Sequence, residues 1–138
     1  MVKVRYGDLN QQQKNHICNG CGPKGGWFNP PGWIFTASCD HHDFNYTIGN
    51  TNSDRYKADT QFYEAMKVDA GNLKSKRRFA YFVAWFYYKA VRLMGWISAF
   101  NYEDLLTLDL IIEEFKTYNI PCDNLNILLK ERENDNST

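Results

Sequence analysis

Cys39, His42, Asp43 and Tyr46 fall at i, i+3, i+4 and i+7 in the run Cys39-Asp40-His41-His42-Asp43-Phe44-Asn45-Tyr46. On a helix this spacing gathers a thiol, an imidazole, a carboxylate and a phenol on one face. That is more polar chemistry than a core-facing stripe needs, and it marks a candidate site. Asp43 follows His42 by one residue, a turn of about 100° around the helix, so the two side chains serve different partners. Asp43 suits a hard cation. Calcium takes roughly six to eight oxygens, often backbone carbonyls, and the glycine-rich stretch Asn19-Gly20-Cys21-Gly22-Pro23-Lys24-Gly25-Gly26 is a source of them. A neutral imidazole at His42 takes a proton from water if a carboxylate holds its other nitrogen and stabilises the imidazolium. Asp59, on the following helical stretch, is the candidate carboxylate if the two helices run antiparallel. Tyr46, one turn after His42, would donate its hydroxyl to Asp59 and keep it ionised. His41 lies off the Cys39/Tyr46 face and is expected at the rim.

The chain that must position these groups has 138 residues, 43% of them hydrophobic, enough for one domain with a core. Sixteen basic and sixteen acidic residues cancel, so no global field points to nucleic acid. Nine Phe, nine Tyr and four Trp are a large aromatic share, suited to a core or to a boundary between water and an apolar phase. Four cysteines, at positions 18, 21, 39 and 122, permit three complete pairings. A bridge between Cys21 and Cys39 would lash the glycine-rich loop against the helix beside Asp43, a closure worth roughly 3 kcal/mol in the chain-entropy picture. Cys18 and Cys122 are left as a second pair or as two thiols. The first sixteen residues lack the apolar core of a secretory signal.

Residues 1–15 read as a short helix or an ordered arm. Residues 19–34 carry five of the nine glycines and Pro23, Pro30 and Pro31, an irregular loop. A helix capped by Thr36 or Ser38 is expected to reach about Ile48 before Gly49-Asn50 stops it. The next, capped by Asp54, sets Asp59, Phe62 and Met66 on one side and ends near Gly71. From about Lys74 to Phe100 the most hydrophobic helix places Phe79, Phe82, Val83, Phe86, Ala90, Leu93, Met94 and Ile97 at core spacing, with Tyr81, Trp85, Tyr88, Arg92 and Trp96 opposite. Lys89 and Arg92 each cost about 3 kcal/mol at a bilayer centre, which argues against a spanning helix. Lys74, Lys76, Arg77 and Arg78 oppose the macrodipole at its start, which leaves a solvated end or a contact for anionic lipid. Trp27, Trp33, Lys76, Arg77 and Arg78 are the candidate interfacial residues. A helix over 103–118 is stopped by Ile120-Pro121, and Asp123 caps a last one. The end, from residue 134, reads as disordered. The class is all-α: one domain over 1–133, with a catalytic core at about 16–70 and a helical extension at about 74–133.

The Cys-Asp-His-His-Asp-Phe-Asn-Tyr string at 39–46 resembles the helix motif of the secreted phospholipase A2 superfamily, in which Cys, His-Asp three residues on, and Tyr recur. Asn-Gly-Cys-Gly at 19–22 is similar to its calcium loop, particularly in the group XII and the prokaryotic and fungal branches. The resemblance covers about residues 16–70. It implies two antiparallel catalytic helices, disulfide-linked or packed, after a calcium loop. It also implies that His42 activates a water with Asp59 orienting it, and that Asp43 with oxygens near Asn19, Gly20 and Gly22 holds Ca2+. A loop amide near Gly22 would assist the oxyanion, and the sn-2 ester of a phospholipid at a membrane surface would be cleaved. Ser38 and Asn45 stand where many relatives have cysteine, so the disulfide set is reduced. With few charged ligands the calcium dissociation constant is expected near 10⁻⁴ to 10⁻³ M, about the range of extracellular modules. This favours a secreted or virion-associated setting. Two other readings compete. Cys18, Cys21, Cys39 and His42 have the spacing of a tetrahedral zinc site in a structural or interaction module. A non-catalytic lipid-binding protein of the same fold is the third.

Overall fold

Thr51 starts the helix that carries Asp59: its hydroxyl accepts from the Asp54 amide while the Asp54 carboxylate accepts from the Thr51 amide, a reciprocal cap. The cap is therefore Thr51 and not Asp54, which sits three residues inside. The computed structural model describes residues 2–18, 21, 33–98 and 107–137, with backbone only for 94–98. Six helices are found among them: α1 (Gln11–Ile17), α2 (Thr36–Ile48), α3 (Asn52–Gly71), α4 (Arg77–Ser98), α5 (Leu108–Thr117) and α6 (Asp123–Asn136). The only extended pairing there is an isolated antiparallel bridge between Lys3 and Thr107. The all-α expectation holds. No helix among the described residues is long and apolar enough to cross a membrane.

Gly49 ends α2, and only three residues separate it from α3. The pair is antiparallel, because Ser38 at the start of α2 donates to Asp69 near the end of α3, while Asn45 meets Gln61. The two helices are packed and not disulfide-linked; the bridge joins Cys21 to Cys39 and so ties the preceding loop to α2. Cys18 and Cys122 are free thiols. Neither Thr36 nor Ser38 caps α2. Thr36 donates to the Trp33 carbonyl and the Ser38 hydroxyl is spent on Asp69.

α4 returns antiparallel to α3, with Tyr63 stacked on Tyr88 at 4.8 Å. Their seam is made of small residues: Ala70, Ala80 and Ala84 are fully buried. They share a core with Cys21, Phe35, Cys39, Phe62 and Met66. At Gly71 an added Cβ would lie 3.0 Å from the Tyr81 hydroxyl, so glycine permits that close approach. Here the sequence reading is overturned. Phe79, Phe82, Phe86 and Leu93 are exposed, and the buried face of α4 is Ala80, Ala84 and the partly covered Val83, Tyr87 and Val91. Bulk suggested a core stripe, but two helices this close admit alanine, not phenylalanine.

A second core lies on the other side of α2. Phe44 enters it with Val2, Val4, Leu9, Ile17, Leu108, Ile111, Ile112, Phe115 and Leu125. So α4 belongs with α2 and α3, while α5 and α6 close over the N-terminal arm. Arg132 of α6 makes two hydrogen bonds to Asp8 and a third to the Lys3 carbonyl. With that turn anchored, α6 continues to Asn136, through most of the stretch whose composition suggested disorder. Its N-cap is Cys122; Asp123 is the first helical residue. α5 begins at Leu108, later than expected, and positions 103–106 lie outside the described residues. It ends on Asn119 at φ 56°, with the Ile120 amide bonded to the Phe115 carbonyl, ahead of Pro121.

The α3/α4 seam generates a test. Ala84→Leu overfills it and is expected to lower stability by about 1–3 kcal/mol, whereas Phe86→Ala, on the exposed face, should stay within about 0.5 kcal/mol. Thermal unfolding followed by circular dichroism reads both; a larger loss in Phe86→Ala would restore the opposite face to the core.

Candidate active site

Two helices deliver three donors to a carboxylate on a third that has no contact with water. Asp59 of α3 is 0% exposed. Its Oδ1 accepts from His42 Nε2 at 2.8 Å and from the Tyr46 hydroxyl, both on α2, and its Oδ2 accepts from Arg92 Nη1 on α4 at 2.7 Å. Burial by itself pushes the Asp59 carboxyl up. The hydrogen bonds from His42, Tyr46 and Arg92 outweigh it and hold the group below the usual carboxylate range. Tyr46 moves the other way: burial and then the Asp59 charge push its phenol far above the ordinary range, so it stays a donor.

An ionised carboxylate only accepts, so the proton between it and His42 sits on Nε2. The lone pair of His42 is then on Nδ1. The ring is clamped as well as hydrogen-bonded, stacked on Phe62 at 4.5 Å and tilted against Tyr46 at 4.0 Å. With the ring 6% exposed, its tautomer and orientation are set by protein rather than by solvent.

The structure thus brings His42, Tyr46 and Asp59 together. Arg92 was not anticipated; the sequence reading set it on the outward side of its helix. Its signal was an arginine interrupting the most apolar stretch of the chain, where a cation needs a buried counter-charge. The guanidinium also lies over the Tyr56 ring, 5.2 Å from its centroid.

Asp43 is half-buried one residue beyond His42. Asn19, Gly20, Gly22 and Trp27 lie outside the described residues. The positions flanking Asn19-Gly20 are both held on α2, one turn before Asp43: Cys18 Sγ donates to the Asp40 carbonyl at 3.2 Å, and Cys21 is bonded to Cys39. Burial, then Asp43 and Asp40, push the Cys18 thiol up to about 12, so it is a neutral donor that senses the Asp43 charge. A carboxylate is a hard-oxygen donor of the kind calcium takes, and Asp43 is the one proposed ligand among the described residues. The zinc reading fails: Cys21 and Cys39 are joined to each other, and His42 Nε2 is engaged by Asp59. No group of three or more His, Cys, Asp or Glu side chains is placed to hold a metal among the described residues. His41 is exposed and lies against Tyr6 at 3.8 Å, away from the carboxylate. Trp33, Lys76, Arg77 and Arg78 are all on the surface.

Because Asp59 is held below its ordinary value when folded, its charge stabilises the native state above about pH 4, the unfolded carboxylate value. That contribution fades as pH falls through the lower native value. Acid unfolding should therefore be shallower in Asp59→Asn. Arg92→Ala, which leaves a buried carboxylate short of one charged donor, should lose about 1–3 kcal/mol at neutral pH. Unfolding curves between pH 2 and 7 check both; an unchanged acid slope in Asp59→Asn would remove the carboxylate from this role.

A search of curated proteins and one of solved structures return no match. A family model described as prokaryotic phospholipase A2 matches residues 3–95. The match is wider than the 16–70 of the motif resemblance, taking in α1 and most of α4, Arg92 included. It covers well over half of the 138 residues. With the all-α architecture and the His-Asp pair on adjacent helices already in place, the chain belongs to the prokaryotic phospholipase A2 family and is an enzyme of the phospholipase class.

Proposed function

We propose that the chain hydrolyses the sn-2 ester of glycerophospholipids at a membrane surface, releasing a fatty acid and a lysophospholipid, with His42 as general base and calcium as cofactor. The observation that carries the reading is the buried bond between His42 Nε2 and Asp59. It leaves Nδ1 as the basic nitrogen, and an imidazole so held takes the proton of an attacking water. Asp59 then faces an imidazolium at 2.8 Å and stabilises it without taking its proton. Tyr46 and Arg92 serve that step by keeping Asp59 ionised. The same proton, returned from His42, goes to the departing glycerol oxygen.

Asp43 and backbone oxygens of Asn19, Gly20 and Gly22 would hold the calcium ion. When bound there, the ion supplies a Lewis acid that polarises the sn-2 carbonyl and offsets the charge of the tetrahedral oxyanion. The Gly22 amide would donate to the same oxygen. The Cys21–Cys39 bridge supports this reading because it ties Cys21, between the proposed ligands Gly20 and Gly22 in sequence, to α2 one turn before Asp43.

Hydrolysis of a phospholipid labelled at sn-2 tests it. His42→Ala should lose about 10²–10⁴ in rate. Asp43→Asn should need far more calcium, and chelator should silence the wild type. Half-activation is expected between about 10⁻⁴ and 10⁻³ M calcium. Wild-type rates in His42→Ala would end the base assignment, and full activity in chelator would end the calcium assignment. Label released from sn-1 alone would correct the ester.

A further inference from the structure

Arg55 is a cation that its own surroundings do little to justify. It lies in the first turn of α3, where the positive end of the helix dipole opposes a basic side chain. Four residues before Asp59, it stands in the less favourable order for an ion pair along a helix, and that carboxylate is already committed to His42, Tyr46 and Arg92. Its neighbour Asp54 spends its carboxylate on the amides of Asn50 and Thr51. Among the described residues Arg55 forms no ion pair, and its guanidinium makes a single hydrogen bond, from Nη2 to the Arg92 carbonyl at 3.5 Å. Its Nη1 is buried without a hydrogen-bond partner. A charged donor left unsatisfied out of water is expensive, and a bound ion is one of the few things that account for it.

Two arginines thus meet beside one carboxylate. Arg92 gives Nη1 to Asp59 Oδ2, while His42 and Tyr46 occupy Oδ1, so the guanidiniums are on the carboxylate oxygen that the base does not use. Both arginine charges are felt at the Tyr46 hydroxyl, where they oppose the upward push of burial. Two cations against one anion leave a net positive charge in a half-buried place. Arg92 is 29% exposed, and the Tyr56 ring beneath its guanidinium is on the surface, so the place opens to solvent. The planar fork of a guanidinium matches an oxyanion, and a phosphate has oxygens enough for two forks arriving from different helices. The dipole at the start of α3 adds to the attraction. We infer that Arg55 and Arg92, beside Tyr56, form a site for a phosphate group, free or carried on a lipid headgroup, on the Oδ2 side of Asp59. Arg55 is the member that no other task occupies, and the anion supplies the charge that Asp59 cannot give it. The site needs neither calcium nor ester cleavage and stands apart from the proposed reaction.

Titration of the full chain with inorganic phosphate, in chelator and with ionic strength held constant by chloride, tests the site. Calorimetry should show one phosphate bound, and the thermal midpoint should rise with phosphate but not with chloride. Arg55→Gln should weaken phosphate binding about tenfold. Arg55→Lys, which keeps the charge and loses the fork, should fall between that variant and wild type. Without phosphate, Arg55→Gln should be no less stable than wild type, since its Nη1 has no partner to lose. A variant destabilised equally with and without phosphate makes Arg55 a packing residue and overturns the site. Equal stabilisation by chloride does the same, because it reduces the effect to screening. A dispersed short-chain phospholipid with ether links in place of esters identifies the source. Weakened binding of this lipid in Arg55→Gln, alongside weakened phosphate binding, assigns the site to a headgroup; loss confined to phosphate assigns it to the free anion. Ester hydrolysis by a wild type that binds no phosphate refutes the site and leaves the reaction. Arg55-dependent phosphate binding in a chain that cleaves no ester supports the site and refutes the reaction.

Discussion

One carboxylate with no solvent contact organises the packing of α2, α3 and α4. An ionised Asp59 in that position is tolerable only because His42, Tyr46 and Arg92 all donate to it. Those donors come from α2 and α4, so the charge of α3 binds three helices to one another at the point where chemistry is expected. Removing any donor leaves the carboxylate undercompensated. The electrostatics that orient His42 thus also contribute to holding α4 against α3.

Everything near that point is arranged to let the helices approach. Ala70, Ala80 and Ala84 keep α3 and α4 close enough for a guanidinium on one to reach a carboxylate buried on the other. Phe62 covers the His42 ring from α3. α2 is the wall between two cores, with Cys39 on one side and Phe44 on the other. It is therefore packed on both sides. The Cys21–Cys39 bridge ties Cys21, which lies between the proposed calcium ligands Gly20 and Gly22 in sequence, to the same helix.

α4 shows how one helix serves two environments. Its small residues face α3 and its large ones face outward, the reverse of what bulk alone suggests. Burying a phenylalanine stabilises a fold only where there is volume for it, and the tight seam of Ala70, Ala80 and Ala84 leaves none. The displaced aromatic surface faces outward. The family match, which takes in α4 up to residue 95, is consistent with that helix being part of the working unit rather than an appendage.

Much of the site was legible because its signals are local. The i, i+3, i+4, i+7 spacing of Cys39, His42, Asp43 and Tyr46 depends only on helix geometry, and Asp59 could be paired with His42 once two antiparallel helices with a short turn were expected. Helix stops at Gly49 and Gly71 follow from backbone chemistry. Arg92 escaped, because a helix pattern says which residues share a face but not which face its neighbour will take. For the same reason Phe79, Phe82 and Phe86 were assigned to the core: hydrophobicity ranks a face by what water rejects, while packing selects it by what volume admits. The choice of Cys21–Cys39 among three pairings also needed coordinates, since bridge formation depends on distance in space. Residue types and periods by themselves determined the helices and the candidate groups for the site. How closely α3 and α4 approach, and hence which side of α4 is buried and which cation neutralises Asp59, was decided only when the chain closed on itself.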